Sequence, residues 1–81
     1  MRFELDSEVN ALYIYFRDEI PAGGVARTIE VEEGVNLDVD AEGLVLGMEF
    51  IDADDFPGFI ARHGGILEVP EREEDIKRIV A

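Results

Sequence analysis

Residues 11–17 read Ala11-Leu12-Tyr13-Ile14-Tyr15-Phe16-Arg17, and this stretch decides the fold. Its apolar residues alternate, with leucine, isoleucine and phenylalanine on one side of an extended chain and the two tyrosines on the other. Aromatic and β-branched residues at period two predict a β-strand. Because both sides are largely apolar, we expect this strand to be central in a sheet or covered on its second face.

Similar alternation on either side of this stretch predicts further strands. Phe3 and Leu5 alternate before it, and residues 25–32, 35–39 and 44–53 alternate after it. Residues 6–10, 18–24 and 40–43 carry turn chemistry, and Glu33-Gly34 predicts a tight hairpin turn. Gly47 predicts a bulge or a close neighbouring backbone. In the last strand the expected faces are Leu44, Leu46, Met48 and Phe50 on one side, and Val45, Glu49 and Ile51 on the other.

The period changes after Ala53 and predicts helix. Asp54 or Asp55 is a suitable N-cap, Pro57 lies in the first turn, and Gly64 is placed to end the helix. The apolar stripe of this helix is Phe56, Phe59, Ile60 and His63. Residues 66–69 are a candidate short strand. A last helix is predicted from Pro70, with an acidic first turn, Lys77 and Arg78 in its last turn, and a narrow stripe of Ile76, Ile79 and Val80.

The sum of these elements is an α+β fold in one domain, residues 1–81. An antiparallel β-meander of about five strands occupies residues 1–53, and a helical C-terminal extension occupies residues 54–81. An 81-residue chain buries little core, and with no cysteine it cannot use disulfides or thiolate metal sites. Self-association is therefore the device that we expect to supply the missing stability.

Charge narrows the possible partners. The chain carries 20 acidic against 7 basic residues, a net charge of −13, and its basic residues are scattered. Binding to nucleic acid or to an anionic membrane is disfavoured, whereas a basic protein partner would be attracted. The opening residues do not resemble a signal peptide and no apolar run could span a bilayer, so we expect a cytoplasmic protein.

A calcium-loop spacing lies across one predicted turn. Asp38, Asp40, Glu42, Gly43, Val45 and Glu49 occupy positions 1, 3, 5, 6, 8 and 12 of such a loop. A calcium loop needs a helix on each side, whereas both flanks here are predicted strands. We therefore interpret these acids as solvated, with a weak divalent site on the acidic hairpin as the alternative.

Other reactive side chains offer no catalytic constellation. His63 is the single histidine, and its position before Gly64 favours a helix end where a cationic side chain meets terminal carbonyls. Ser7 and Thr28 lack the sequence context of a nucleophile. Tyr13 and Tyr15 could form a binding face, although burial in a core or dimer is the favoured interpretation. No catalytic residue, cofactor or metal site is predicted.

Residues 3–16, from Phe3-Glu4-Leu5-Asp6 through Ala11-Leu12-Tyr13-Ile14, resemble the opening signature of a family of small bacterial and archaeal proteins registered as domain of unknown function 2283. Residues 26–31, 34–40, 43–50 and Ala53 are similar to its remaining segments, so the resemblance covers residues 1–53. It implies no catalytic residue. Family members are said to lie beside genes for small basic nuclease-like proteins, which implies an antitoxin-like role. Members usually end soon after the last strand, so residues 54–81 depart from the pattern.

Three hypotheses follow for function. The first is a non-enzymatic interaction module that forms a homodimer or binds a basic partner, with an antitoxin-like neutraliser of a small basic nuclease as one version. The second is a metal-binding protein or enzyme that uses Asp38, Asp40 and Glu49. The third is a small-ligand binder that uses Tyr13 and Tyr15.

Overall fold

Five antiparallel strands form a single sheet in the computed structural model, which describes residues 1–20 and 23–76. A helix and a 3-10 turn follow the last strand. This architecture confirms the predicted α+β fold with its five-stranded antiparallel sheet. The strands are β1 (Arg2–Asp6), β2 (Ala11–Tyr15), β3 (Arg27–Glu32), β4 (Val35–Val39) and β5 (Val45–Phe50).

The order of the strands across the sheet is β1-β2-β5-β4-β3. β1 and β2 form one hairpin, and β3, β4 and β5 form a three-stranded meander through tight turns. β5 then lies between β2 and β4, so β2 and β3 are consecutive in sequence but are not neighbours. The central position suits β5, because all of its residues except Glu49 are buried.

A β-bulge in β5 changes which side chains enter the core. Asp38 pairs with Gly47, but the next residue, Val39, pairs with Val45, which leaves Leu46 as the extra residue. The bulge, which was one of the two alternatives predicted at Gly47, is thus present one residue earlier, at Leu46. The bulge also corrects the predicted faces, since Val45 belongs to the buried core cluster together with Met48 and Phe50. β5 is shorter than predicted because the chain turns after Phe50.

The core lies on one face of the sheet and is closed by the helix α1 (Asp55–Arg62). Phe59 of α1 is buried, and its ring meets that of Phe50 edge-on at 5.2 Å. Phe56 contacts the same ring at 5.3 Å between centroids. Edge-to-face aromatic pairs of this kind stabilise a core beyond the area that they bury. α1 therefore packs on β5 from the core side of the sheet.

Both ends of α1 lie where the sequence predicts them, although the start is held differently. Asp54 occupies the N-cap position but makes no side-chain cap hydrogen bond. The carboxylate of Asp52 accepts the backbone N–H of Asp54 instead, at 2.9 Å. At the other end Gly64 has a φ of 80°, and the Gly65 N–H donates to Ile60 O at 2.8 Å. This is a Schellman arrangement, which confirms the predicted glycine terminator.

The segment after α1 returns to the sheet without forming the candidate strand at residues 66–69, which are irregular. The chain instead meets the start of β5, where the Val45 N–H donates to Glu71 O at 3.0 Å and Leu44 forms an isolated bridge with Arg72. Within the described residues the predicted last helix is a 3-10 turn, Glu73–Ile76, whose Ile76 joins the core. The predicted positions of Lys77, Arg78, Ile79 and Val80 lie outside the described residues, as do residues 21–22 of the predicted loop.

Among residues 1–20 and 23–76, no helix has the length and apolar character that crossing a membrane would require.

Candidate functional site: the acidic face of the sheet

The sheet face opposite the core is rich in carboxylates. Side chains alternate along each strand, so residues adjacent in sequence to core residues project from this opposite face. We call it the acidic face. Its strand residues supply five carboxylates, two tyrosines and one arginine: Glu4, Asp6, Glu30, Asp38, Glu49, Tyr13, Tyr15 and Arg2. α1 and Ile76 pack on the core face, so neither covers this surface.

Tyr13 lies at the centre of the acidic face and reaches across β5 to β4. Its hydroxyl donates a hydrogen bond to Asp38 Oδ2 at 2.7 Å. Thr28 of β3 donates to the other carboxylate oxygen, Oδ1, at 2.6 Å. The Asp38 carboxylate therefore accepts two hydroxyl donors and links β2, β4 and β3. Hydroxyl groups bound to a carboxylate make short, strong hydrogen bonds, so this network holds Tyr13 in place.

Gly47 gives Tyr13 the room to cross β5. A Cβ atom at residue 47 would lie 2.5 Å from Cε1 and from the hydroxyl oxygen of the Tyr13 ring. Such distances are far below van der Waals contact. The close approach at Gly47 is thus made by a side chain and not by the neighbouring backbone that was the other predicted alternative.

The environment of Tyr13 keeps its phenol protonated. Burial raises the pKa of Tyr13 well above its ordinary value, and the hydrogen bond to Asp38 and the negative charge of that residue raise the pKa further. Tyr15 and Glu49 add smaller contributions of the same sign. Around neutral pH Tyr13 is therefore a neutral hydrogen-bond donor and not a nucleophile or a base.

Tyr15 is held between the two residues that flank it on β1. Its hydroxyl donates to Glu4 Oε1 at 3.1 Å, and the Arg2 guanidinium lies 4.1 Å from the centre of its ring. The rings of Tyr13 and Tyr15 lie 4.6 Å apart. A cation over a tyrosine face is attracted by the ring quadrupole. The two tyrosines thus form one aromatic platform with carboxylates around it.

The acids of the calcium-loop spacing do not converge. Asp38 is bound by two hydroxyls, and Asp40 Oδ1 accepts the backbone N–H groups of Glu42 and Leu44, each at 2.9 Å. Glu49 lies on β5, in register with Tyr13 and Asn36. In the part of the chain that the structure describes, no three His, Cys, Asp or Glu side chains are placed to share a metal ion.

His63 is at the helix end, as predicted, but its imidazole does not meet the terminal carbonyls. Its Nε2 lies 3.5 Å from Glu32 Oε2, and its ring packs against Phe59 at 4.4 Å between centroids. The backbone N–H of His63 serves the carbonyls instead, since it donates to Phe59 O and Ile60 O. Arg62 pairs with the same Glu32 carboxylate. The expectation of a capping imidazole was wrong because Glu32, from β3, competes for it.

Four of the five arginines in the described residues bind carbonyl or carboxylate oxygens of their own chain. Arg17 donates to Val45 O and Glu71 O, both at 3.4 Å, and Arg72 donates to Glu42 O at 2.7 Å. Arg27 forms a two-point ion pair with Glu73, which lowers the pKa of Glu73 and raises that of Arg27. These contacts join distant parts of the chain, so sequence spacing gave no sign of them.

Comparisons with known proteins identify one family. A family model described as "Protein of unknown function (DUF2283)" matches residues 2–53. The matched range contains all five strands and ends just before α1. Neither the curated proteins nor the solved structures include a match.

Proposed function

The chain belongs to the DUF2283 family of proteins of unknown function, and from this premise we propose that it is a non-enzymatic interaction module in the cytoplasm that binds a basic protein partner through the acidic face. One observation carries the proposal: five carboxylates surround two tyrosines on one sheet face, against a single arginine. A surface of this kind attracts and orients a cationic partner.

The tyrosine platform supports the proposal because charge alone gives weak binding. Exposed ion pairs each contribute roughly 0–1 kcal/mol, so contact area must supply the rest. Tyr13 and Tyr15 provide flat apolar surface with polar rims, a combination that is enriched at the energetic centres of protein interfaces. Their hydrogen bonds to Asp38 and Glu4 hold the rings before the partner arrives, which lowers the entropy cost of binding.

The internal pairing of the arginines also favours a basic partner. Arg17, Arg27 and Arg62 are engaged by carbonyls or carboxylates of their own chain, away from the acidic face. Their charges therefore do not neutralise Glu30 or Glu49. Within residues 1–20 and 23–76 neither carboxylate takes part in a salt bridge, so a partner's arginine or lysine would displace no ion pair there.

The test is affinity capture from the source cells with three forms of the protein. The wild type should capture a basic protein, and the double variant Glu30→Lys, Glu49→Lys should lose it. The matched control reverses two exposed acids away from the face, Glu33→Lys with Glu68→Lys, and should retain it. The two double variants change the net charge by the same amount, so a difference between them reports the contribution of the acidic face and not of overall charge.

The proposal fails if both double variants lose the partner equally, since overall charge would then explain the binding. It also fails if no basic protein is captured by the wild type. The antitoxin-like version requires more: the captured protein must be a nuclease, and the addition of the wild type, but not of the Glu30→Lys, Glu49→Lys variant, must block its activity.

A further inference from the structure

The β1 edge of the sheet carries exposed apolar side chains. β1 is the first strand in the sheet order, so one of its sides has no neighbour in the described residues. Met1, Phe3 and Leu5 are 60%, 52% and 58% exposed, and all three alternate onto the core side. Phe3 meets Phe56 of α1 in an edge contact at 6.0 Å between ring centroids, and half of its surface stays exposed. The margin of the core is therefore open beside β1.

The opposite edge differs. β3 contains a register irregularity between Glu30 and Glu32, and it carries Arg27 as well. A bulge of this kind hinders one sheet edge from pairing with another. β1 has a regular register with β2 along its whole length and contains no proline or lysine. Only one of the two edges is thus built to remain unpaired.

Some backbone N–H and C=O groups of β1 point outward, where they can hydrogen-bond to another strand. The Phe16 N–H donates to Leu46 O, so even-numbered residues of β2 turn their backbone groups toward β5, and odd-numbered ones turn theirs toward β1. Arg2 and Glu4 are in register with odd-numbered residues of β2 and hydrogen-bond to them. The N–H and C=O groups of Phe3 and Leu5 therefore point away from β2, toward the open edge.

We propose that β1 pairs antiparallel with β1 of a second copy of this chain, about a two-fold axis at Phe3. In this register each Arg2 lies opposite the partner's Glu4, which gives two opposite-charge pairs on one face. On the other face Phe3 lies opposite the partner's Phe3, and Met1 lies opposite the partner's Leu5. The two five-stranded sheets become one continuous sheet, and the open margins of the two cores meet.

Charge and side-chain alternation select this register. A shift by one residue would place apolar side chains opposite charged ones. A shift by two, to an axis at Glu4, would place the two Glu4 carboxylates directly opposite each other, which is unfavourable. The Phe3 axis places no like charges opposite each other. Arg2 is suited to the pairing because it forms no salt bridge within residues 1–20 and 23–76.

A second copy fits this edge better than an unrelated chain because the pattern is self-complementary. The sequence Met1-Arg2-Phe3-Glu4-Leu5 reads apolar, basic, apolar, acidic, apolar, and it matches its own reverse with opposite charges. A two-fold interface requires such self-matching. The net charge of −13 on each copy opposes association at long range. Added salt should therefore strengthen the dimer, since it screens this repulsion more than it weakens contacts at the edge.

Cysteine cross-linking tests the register directly, because the chain contains no cysteine of its own. An Arg2→Cys chain mixed with a Glu4→Cys chain should form a disulfide-linked heterodimer on mild oxidation. Residues 2 and 4 would be directly opposite in a non-hydrogen-bonded pair, with Cα atoms about 4.5 Å apart, within disulfide range. Glu4→Cys alone should cross-link poorly, since its two sulfurs would belong to diagonal positions about 7–8 Å apart. Efficient cross-linking of Glu4→Cys alone would overturn the register.

Charge exchange supplies the second test, with mass measured by analytical ultracentrifugation. The wild type should sediment as a dimer, Arg2→Glu should be monomeric, and Arg2→Glu with Glu4→Arg should recover the dimer. The circular dichroism spectrum reports whether each variant folds. A wild-type monomer at every concentration and salt level overturns the dimer, and an undiminished Arg2→Glu dimer overturns the pairing. Arg2 and Glu4 also lie on the acidic face, but the dimer test measures the mass of the isolated protein, whereas the partner test measures capture by Glu30 and Glu49 variants, so the two proposals can fail separately.

Discussion

Replacement of Gly47 by alanine is the sharpest test of the acidic-face geometry. The added Cβ would lie 2.5 Å from the Tyr13 ring, so the ring must move away from β5. Movement would break the 2.7 Å hydrogen bond to Asp38. Overpacking costs typically 1–3 kcal/mol. Removal of a glycine from a strand interior returns roughly 0.5–1 kcal/mol. The net destabilisation expected is about 1 kcal/mol, up to about 2.5 kcal/mol if the ring cannot adjust.

The cause is isolated by a double-mutant cycle with Tyr13→Ala. Without the ring, Gly47→Ala meets no clash and should stabilise the fold by about 0.5–1 kcal/mol. The coupling between the two sites should therefore be about 1–3 kcal/mol. A third background, Tyr13→Phe, keeps the ring but removes its hydrogen bond to Asp38, so the ring is free to tilt. The cost of Gly47→Ala in this background should fall between its costs in the wild type and in Tyr13→Ala.

Urea unfolding followed by far-ultraviolet circular dichroism measures each free energy of unfolding. An 81-residue domain has a total stability on the order of 4–12 kcal/mol, so shifts of 1–2 kcal/mol are large enough to resolve. Equal effects of Gly47→Ala in the wild type and in Tyr13→Ala would refute the reasoning, because the cost would then have nothing to do with Tyr13.

Three other predictions concern separate parts of the fold. Tyr13 should keep its proton as the pH rises past about 10, the ordinary tyrosine value, because its pKa is raised in the fold. The contribution of the protonated Tyr13 to the free energy of unfolding is therefore present below that pH. It is lost only as the pH rises through the folded-state pKa. Ultraviolet absorbance titration of the wild type minus Tyr13→Phe isolates the group, and a normal transition in that difference contradicts the assignment. Glu73→Gln should lower the melting temperature at neutral pH, because only the ionised carboxylate holds Arg27. The difference in melting temperature between variant and wild type should disappear as the pH falls through the depressed pKa of Glu73. A difference that persists in acid would contradict the ion pair. Gly64→Ala should destabilise the fold by about 1–2 kcal/mol, since φ is 80° there. Gly58→Ala, inside α1, should stabilise the fold by about 1 kcal/mol. Thermal melts that give both changes the same sign would contradict the helix boundary.

The strands and the helix could be predicted because their signals are local. Alternation around Ile14 and the helical spacing of Phe56 and Phe59 are each read within a dozen residues, and both elements are present. Gly47 and Gly64 were informative for the same reason, since a glycine marks a backbone position that other residues rarely occupy or a space that a side chain would fill.

The strand order and the acidic face depend on contacts that no local pattern encodes. Alternation assigns residues to the two sides of a strand but does not choose its neighbours, so the pairing of β2 with β5 was not deducible. The Tyr13–Asp38–Thr28 network joins three strands, and its members are separated by 25 and 10 residues. His63 was misjudged for the same reason: the helix end was read correctly from its neighbours, but Glu32 reaches it from another strand.

The insertion of β5 between β2 and β4 also sets the order in which the sheet can form during synthesis. The β1–β2 hairpin is complete at Tyr15, but the strand that must pair with the inner edge of β2 begins at Val45. At about 5–20 residues per second a ribosome needs on the order of 2–6 s to supply the intervening chain. Throughout that interval β2 is flanked by β1 alone, and Leu12 and Ile14 lack their β5 neighbours Phe50 and Met48. The nascent hairpin thus exposes an unpaired strand edge through which it can aggregate.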